Sequence, residues 1–103
     1  MKKIITFDFR ARKELFDLPQ EARDKINSRI ETLSIEGELQ EPEAKKLDKN
    51  LYEIRIKVKL LWRVFYGYLP KNEIIILRIF QKTTQKTPKN EIETAQKRLK
   101  QYI

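Results

Sequence analysis

Three consecutive runs between Leu51 and Phe80 constrain this chain most, because each reads as a β-strand and the links between them are short. The first, Tyr52 to Val58, sets Tyr52, Ile54, Ile56 and Val58 against Glu53, Arg55, Lys57 and Lys59. A period of two means one buried and one solvated face. The second, Leu61 to Tyr68, places Arg63 on a face with Leu61 and Phe65. The third, Glu73 to Phe80, is apolar on both faces apart from Arg78, and is expected to be the central, most covered strand. Leu69-Pro70-Lys71-Asn72 supplies a hairpin turn between the second and third runs. The link near Lys57 to Leu60 has no Gly, Asn, Asp or Pro, so composition does not place its bend. An antiparallel meander follows from these runs.

The N-terminal part reads as cover for that sheet. Lys3 to Phe7 is a short β-rich run. Asp8 offers an N-cap to a helix over Arg10 to Leu18, with Ala11, Leu15 and Leu18 on one face. Pro19 suits the first turn of a second helix, in which Ala22, Ile26, Ile30 and Leu33 form an apolar stripe. Gly37 closes it as a C-cap. The two helices form a hairpin on one sheet face. Glu38 to Asn50 is a polar connection with Pro42 and a Lys45-Lys46-Leu47 cluster, either an ordinary surface loop or a ligand contact. Gln81 to Lys86 is too polar for a core strand. Thr87-Pro88 then reads as N-cap and first residue of a final helix, whose stripe is Ile92, Ala95, Leu99 and Tyr102. The expected order is β-α-α-β-β-β-α, an α+β class, in one domain over residues 1–103.

Composition removes several kinds of chemistry. The chain has no cysteine, which excludes disulfides, thiolate nucleophiles and zinc ribbons, and no histidine, the usual neutral-pH base and commonest metal ligand. No apolar run nears the roughly 20 residues of a membrane span, and MKKIITFDF lacks the length and small-residue site of a signal peptide. A cytoplasmic protein without cofactor or metal is the expectation. The net charge of +8 is uneven. Residues 1–41 carry eight Lys/Arg against nine Asp/Glu, residues 42–80 nine against four, and residues 81–103 six against two. The excess lies with the meander and the tail, which points to a polyanion, nucleic acid or an acidic protein segment, as partner. A lysine-rich soluble surface is the plain alternative.

The wording of the second half resembles a known family. LYEIR, WRVFY, the hydrophobic strand, FQKTTQKTP and NEIETAQKR occur in the order found in the phage-derived, HigB-like branch of the RelE/ParE toxins of type II toxin–antitoxin systems. The resemblance covers residues 3 to about 100. It implies a RelE/ParE-like α+β fold with helices on one sheet face and a basic concave active surface on the other. RelE-like members cleave messenger RNA in the ribosomal A site without a metal. ParE-like members poison DNA gyrase. A cognate antitoxin holds both inactive, and here it is expected to present an acidic or amphipathic segment to the basic region. Because fold alone does not decide between such activities, the site must.

Metal-free RNA cleavage needs cations where charge develops on the phosphate, and Arg suits this with its planar, permanently charged fork. Arg55 and Arg63 match basic positions on the active face of RelE-like toxins, and Lys82 matches another just past the last strand. Lys57 and Lys86, with Lys45 and Lys46, are candidates for flanking RNA phosphates. Where RelE has two alternating lysines, this chain has Glu53 and Arg55, so Glu53 either acts as general base or orients Arg55. Arg55 has the plainer reading of a solvated residue paired with Glu53. Arg63, between apolar neighbours, needs a reason for its charge. Tyr66, Tyr68 and Tyr102 either stack on a base or donate a proton, or else are core aromatics. A messenger RNA endonuclease, a gyrase poison and a non-catalytic binding module all remain open on these residues. Convergence of Arg55, Arg63 and Lys82 on the face opposite the helical hairpin favours the first.

Overall fold

The computed structural model describes residues 2–103. Among these, five strands form one mixed sheet and three helices pack on it: β1 (Ile4–Phe7), α1 (Phe9–Phe16), α2 (Gln20–Glu36), β2 (Ala44–Asp48), β3 (Leu51–Val58), β4 (Leu60–Leu69), β5 (Glu73–Lys82) and α3 (Lys89–Lys100). Spatial order is β1-β5-β4-β3-β2, with β1 parallel to β5 and the other neighbours antiparallel. The α+β class, the meander and the helical hairpin are as expected. The middle strand, however, is β4; β5 lies between it and β1.

Alternation along the meander produces two cores. Tyr52, Ile54 and Ile56 of β3, Trp62, Val64 and Tyr66 of β4, and Ile74 and Ile76 of β5 face the α1–α2 hairpin, where Ala22, Ile26, Ile30 and Leu33 meet them. On the other face Leu51, Phe65, Ile75, Leu77 and Phe80 are covered by Ala95 and Leu99 of α3. The basic face is therefore shared, because α3 takes one end of it. Ile74 to Leu77 are fully buried, which is why β5 carries an unbroken apolar run.

A β-bulge makes this packing possible. β4 and β5 pair in register from Leu69↔Glu73 to Tyr66↔Ile76, and then Phe65 pairs with Arg78, leaving Leu77 as an extra residue. The slip shifts the parity, so that Arg78 and Phe80 follow Ile75 and Leu77 onto the α3 face. Since β1 pairs only with Glu73 to Ile76, the rest of that edge of β5 is closed by side chains. Glu14 of α1 accepts from the Ile79 amide at 3.0 Å, and Arg98 of α3 donates to the Leu77 carbonyl at 2.8 Å. Arg78 and Arg98 both pair with Glu14, and Arg78 also with Glu91.

Three local expectations are corrected and one open point is settled. The connection from Glu38 to Asn50 contains β2, an edge strand paired with β3. Only Ala44 and Leu47 are apolar in its five residues, too few to show a period. β5 extends through Gln81 and Lys82, which pair with Trp62 and Leu61, since an open sheet face accepts polar side chains. Pro19 and Pro88 each stand one residue outside their helices, at the N-cap. Thr87 is therefore not the cap of α3. The bend that composition left unplaced centres on Lys59, held at φ 62° between the paired Val58 and Leu60.

Asp8 caps α1 as expected and does more. It is fully buried, accepts from the Arg10 and Ala11 amides and the Arg10 guanidinium, and receives the Tyr102 hydroxyl at 2.8 Å. Burial raises its pKa, but the hydrogen bonds from Arg10 and Tyr102 outweigh this and hold it at about 2, against an ordinary 3.8. A depressed carboxyl contributes stability that is present above pH 3.8 and is lost as pH falls toward about 2. Acid titration of unfolding should therefore show a loss on the order of 2 kcal/mol in that window, and Asp8→Asn should remove most of that dependence. A second expectation concerns Gly67, where a Cβ would stand 2.7 Å from the Asn50 carbonyl and 3.4 Å from Leu99 Cδ1. Gly67→Ala should lower stability in urea unfolding by about 1–3 kcal/mol, through the β2–β3 turn and the seat of α3.

Candidate functional site

The register lays the α3 face out in rows across β3, β4 and β5. Glu53, Phe65 and Arg78 form one row, Arg55, Arg63 and Phe80 the next, and Lys57, Leu61 and Lys82 the one after. Helix α3 covers the first of these. The second and third lie toward the uncovered end, where Arg55 is half-exposed and Lys57 exposed. Arg55 and Arg63 are direct cross-strand partners. Two like charges opposite each other in a sheet repel, so this pairing needs compensation.

Glu53 provides it. The carboxylate is 2 % exposed, accepts from Arg55 Nε at 3.3 Å, and lies 3.8 Å from Arg63 Nε, close enough for charge pairing but too long for a hydrogen bond. Thr87 Oγ1 donates at 3.0 Å to Oε2, the oxygen that faces Arg63. A carboxylate so enclosed has the geometry of an orienting group. Arg63 is 7 % exposed; its Nη1 donates to the Trp62 carbonyl at 3.0 Å, while its buried Nε has no hydrogen-bond partner among the described residues. Burial lowers its pKa, Glu53 opposes this and Arg55 adds to it. A guanidinium remains charged through such a shift. The pair thus carries two positive charges around one paired carboxylate, with donors to spare for an anion.

The sequence candidates separate by parity. Arg55, Arg63, Glu53, Lys57 and Lys82 share the face opposite the helical hairpin, and Lys45, paired with Glu53, has the same parity. Lys82 lies within β5 rather than past it, and its ammonium donates to the Gln85 carbonyl at 2.6 Å. Lys86 is exposed on the following turn. Lys46 falls on the opposite face, with its ammonium 5.9 Å from the centre of the Tyr52 ring. Tyr66 and Tyr68 also belong to the hairpin side: Tyr66 stacks on Tyr52 at 5.3 Å, and Tyr68 donates to the Gly37 carbonyl. Burial raises the pKa of both. Tyr102 is engaged by Asp8. These three tyrosines are structural, as their plainer reading had it.

The residue that sequence reasoning missed is Thr87. Its position before a proline signals a helix cap, whereas its partner lies 34 residues away. Among the described residues, no group of three or more Asp or Glu gathers as a metal site, and no helix is long and apolar enough to cross a membrane.

Comparison with known proteins gives the chain a family and a fold. Residues 13–100 match the family described as phage derived protein Gp49-like. Among curated proteins, no sequence matches the chain. Among solved structures, it is similar to a double arginine-to-alanine mutant of the E. coli toxin RelE in the free state, with a TM-score of 0.72 and 18 % identity over 100 % of both chains. It is also similar to a chain of the toxin–antitoxin complex RelBE2 from Mycobacterium tuberculosis, at 0.63 and 20 %, over 80 % of this chain and 100 % of that one. A chain of the intact E. coli RelBE complex gives 0.66 and 17 %, over 80 % and 99 %. The likeness at such identities is one of fold. By the match over most of its length, the chain belongs to the phage-derived Gp49-like family, and it is built on the fold of the RelE toxins.

Proposed function

We propose that this chain is the toxin of a type II toxin–antitoxin pair, an endoribonuclease that cleaves messenger RNA in the ribosomal A site and so stops translation in the cytoplasm. The observation that carries this reading is the Arg55–Arg63 pair on the uncovered end of the sheet, with Arg63 nearly buried and its Nε free of a hydrogen-bond partner among the described residues. The RelE fold and the antitoxin complexes formed by two of the similar structures support it.

In the proposed reaction the 2′-oxygen attacks the adjacent phosphorus, the bond to the 5′-oxygen breaks, and a 2′,3′-cyclic phosphate and a 5′-hydroxyl result. The 2′-proton leaves and the departing oxygen gains one, so protons balance without a metal. Negative charge grows on the non-bridging oxygens, where Arg63 and Arg55 stabilise it as preorganised donors. Glu53 holds the two guanidinium planes in place. Lys82 and Lys57, about 7 Å further along the strands, extend the positive track, and Lys86 and Lys45 lie beyond it. Lys46, on the far face, has no part in it. The same basic end is where a cognate antitoxin with an acidic segment would dock.

Arg63→Ala should lower the cleavage rate by about 10²–10³ while leaving the circular dichroism spectrum and antitoxin binding near the parental values. Primer extension on messenger RNA after brief expression, together with cleavage on programmed ribosomes, reads this directly. A folded Arg63→Ala protein that cuts at the parental rate would reduce the basic face to a docking surface. DNA breaks in place of RNA cuts would point to gyrase. Lys57→Ala should behave differently: affinity for a non-cleavable RNA should fall, and the slope of log affinity against log salt should flatten by about 0.7, with the saturated rate retained.

A further inference from the structure

Glu53 is held from outside the sheet as well as within it. Thr87, in the connection between β5 and α3, donates its hydroxyl to Glu53 Oε2 at 3.0 Å. Pro88 occupies the N-cap of α3, so a side chain in reach of a helix start is turned instead to a buried carboxylate. The connection is shaped to present it: Lys82 Nζ binds the Gln85 carbonyl, and Thr84 Oγ1 binds the Lys86 carbonyl, both at 2.6 Å. On the carboxylate the division of labour is clear. Oε1 takes Arg55 Nε, while Oε2 takes Thr87 and faces Arg63 Nε. A partial rotation of the carboxylate out of its present plane would move both oxygens, and with them both guanidinium groups. The Thr87 hydrogen bond opposes that rotation.

We infer that Thr87 is a positioning residue for the arginine pair: through Glu53 it sets the planes in which Arg55 and Arg63 present their free donors. Its effect on cleavage rests on the proposed function, but its effect on the arginines does not. Removing the hydroxyl should leave the charges in place and blur their aim. Misplacement of this kind lowers the rate of reaction more than the affinity for RNA.

The test compares Thr87→Val, which keeps the shape and loses the donor, with Thr87→Ser, which keeps the donor. Thr87→Ala serves as a second donor-free variant should the valine protein not fold. Thr94→Val is the control, since that exposed hydroxyl binds only the Asn90 carbonyl of its own helix. Nitrogen-15 spectra of the arginine side chains should show the Nε–Hε resonances of both Arg55 and Arg63 moved in Thr87→Val and near parental in Thr87→Ser and Thr94→Val. On programmed ribosomes, Thr87→Val should cut about tenfold to a hundredfold more slowly at saturation, with the half-saturating concentration changed by less than about twofold. Unmoved resonances in the donor-free variants overturn the inference whatever the RNA shows. So does a serine variant that behaves like valine, or moved resonances with a parental cleavage rate. A parental protein that cuts no RNA, yet whose arginine resonances move on loss of the Thr87 hydroxyl, overturns the endonuclease reading and leaves the positioning role standing.

Discussion

Burying a guanidinium is costly unless its charge is compensated, and that requirement at Arg63 runs through half of the molecule. The compensating group is Glu53, itself almost wholly buried, which must be shared with Arg55 across the β3–β4 ladder. A shared carboxylate needs further support, and the segment leading to α3 supplies it through Thr87. The apolar wall beside Arg63 is Phe80, which reaches that face only because Leu77 is inserted as a bulge. Sheet register, bulge and helix connection therefore converge on one cation. The compensation remains incomplete, and the remainder is what an incoming phosphate would meet.

The same face shows what full compensation looks like. Arg78 and Arg98 are bound by Glu14 and Glu91 at 2.8–2.9 Å, with the remaining Arg98 donor closing the Leu77 carbonyl. These arginines hold α1, β5 and α3 together. Removing a partner from such a cluster costs stability, whereas a substitution at the half-exposed Arg55 costs much less, because solvent screens the loss. The molecule thus carries two arginine pairs, one sharing two carboxylates and the other sharing one. The charge excess counted along the sequence becomes an excess in space only after this subtraction.

Much of this was legible in the sequence and some of it was not, for identifiable reasons. The period of two in Tyr52 to Val58 puts Arg55 on the polar face of its own strand, and the resemblance to RelE-like toxins, rather than periodicity, sets Arg63 beside it. The stripe Ala22, Ile26, Ile30, Leu33 likewise announces the helical hairpin. β2 escaped because AKKLD offers just two apolar residues to a periodicity argument. The bulge escaped because an inserted Leu77 within an apolar run leaves no trace in hydrophobicity. Lys46 was grouped with Lys45 by adjacency, and a strand sends adjacent side chains to opposite faces. Thr87 was read by its local grammar, and its partner is a long-range contact that local rules do not contain. Tyr66 and Tyr68 were ambiguous because only the register assigns them to the hairpin side, and Tyr102 because its partner, Asp8, is a long-range contact.

The edge formed by β2 has a consequence of another sort. A free strand edge is a template on which other chains can add strands and begin to aggregate. This one is short, is interrupted by a register shift between Lys46 and Asp48, and carries Lys45 and Lys46 side by side. Each of those features discourages a second backbone from zipping on, and a second copy of this chain would bring its own lysines against them. At the opposite edge, where β1 stops pairing, Glu14 already occupies the Ile79 amide. The free edge of β2 and the part of β5 that β1 leaves unpaired both carry charged side chains, which disfavours the addition of a further strand at either place.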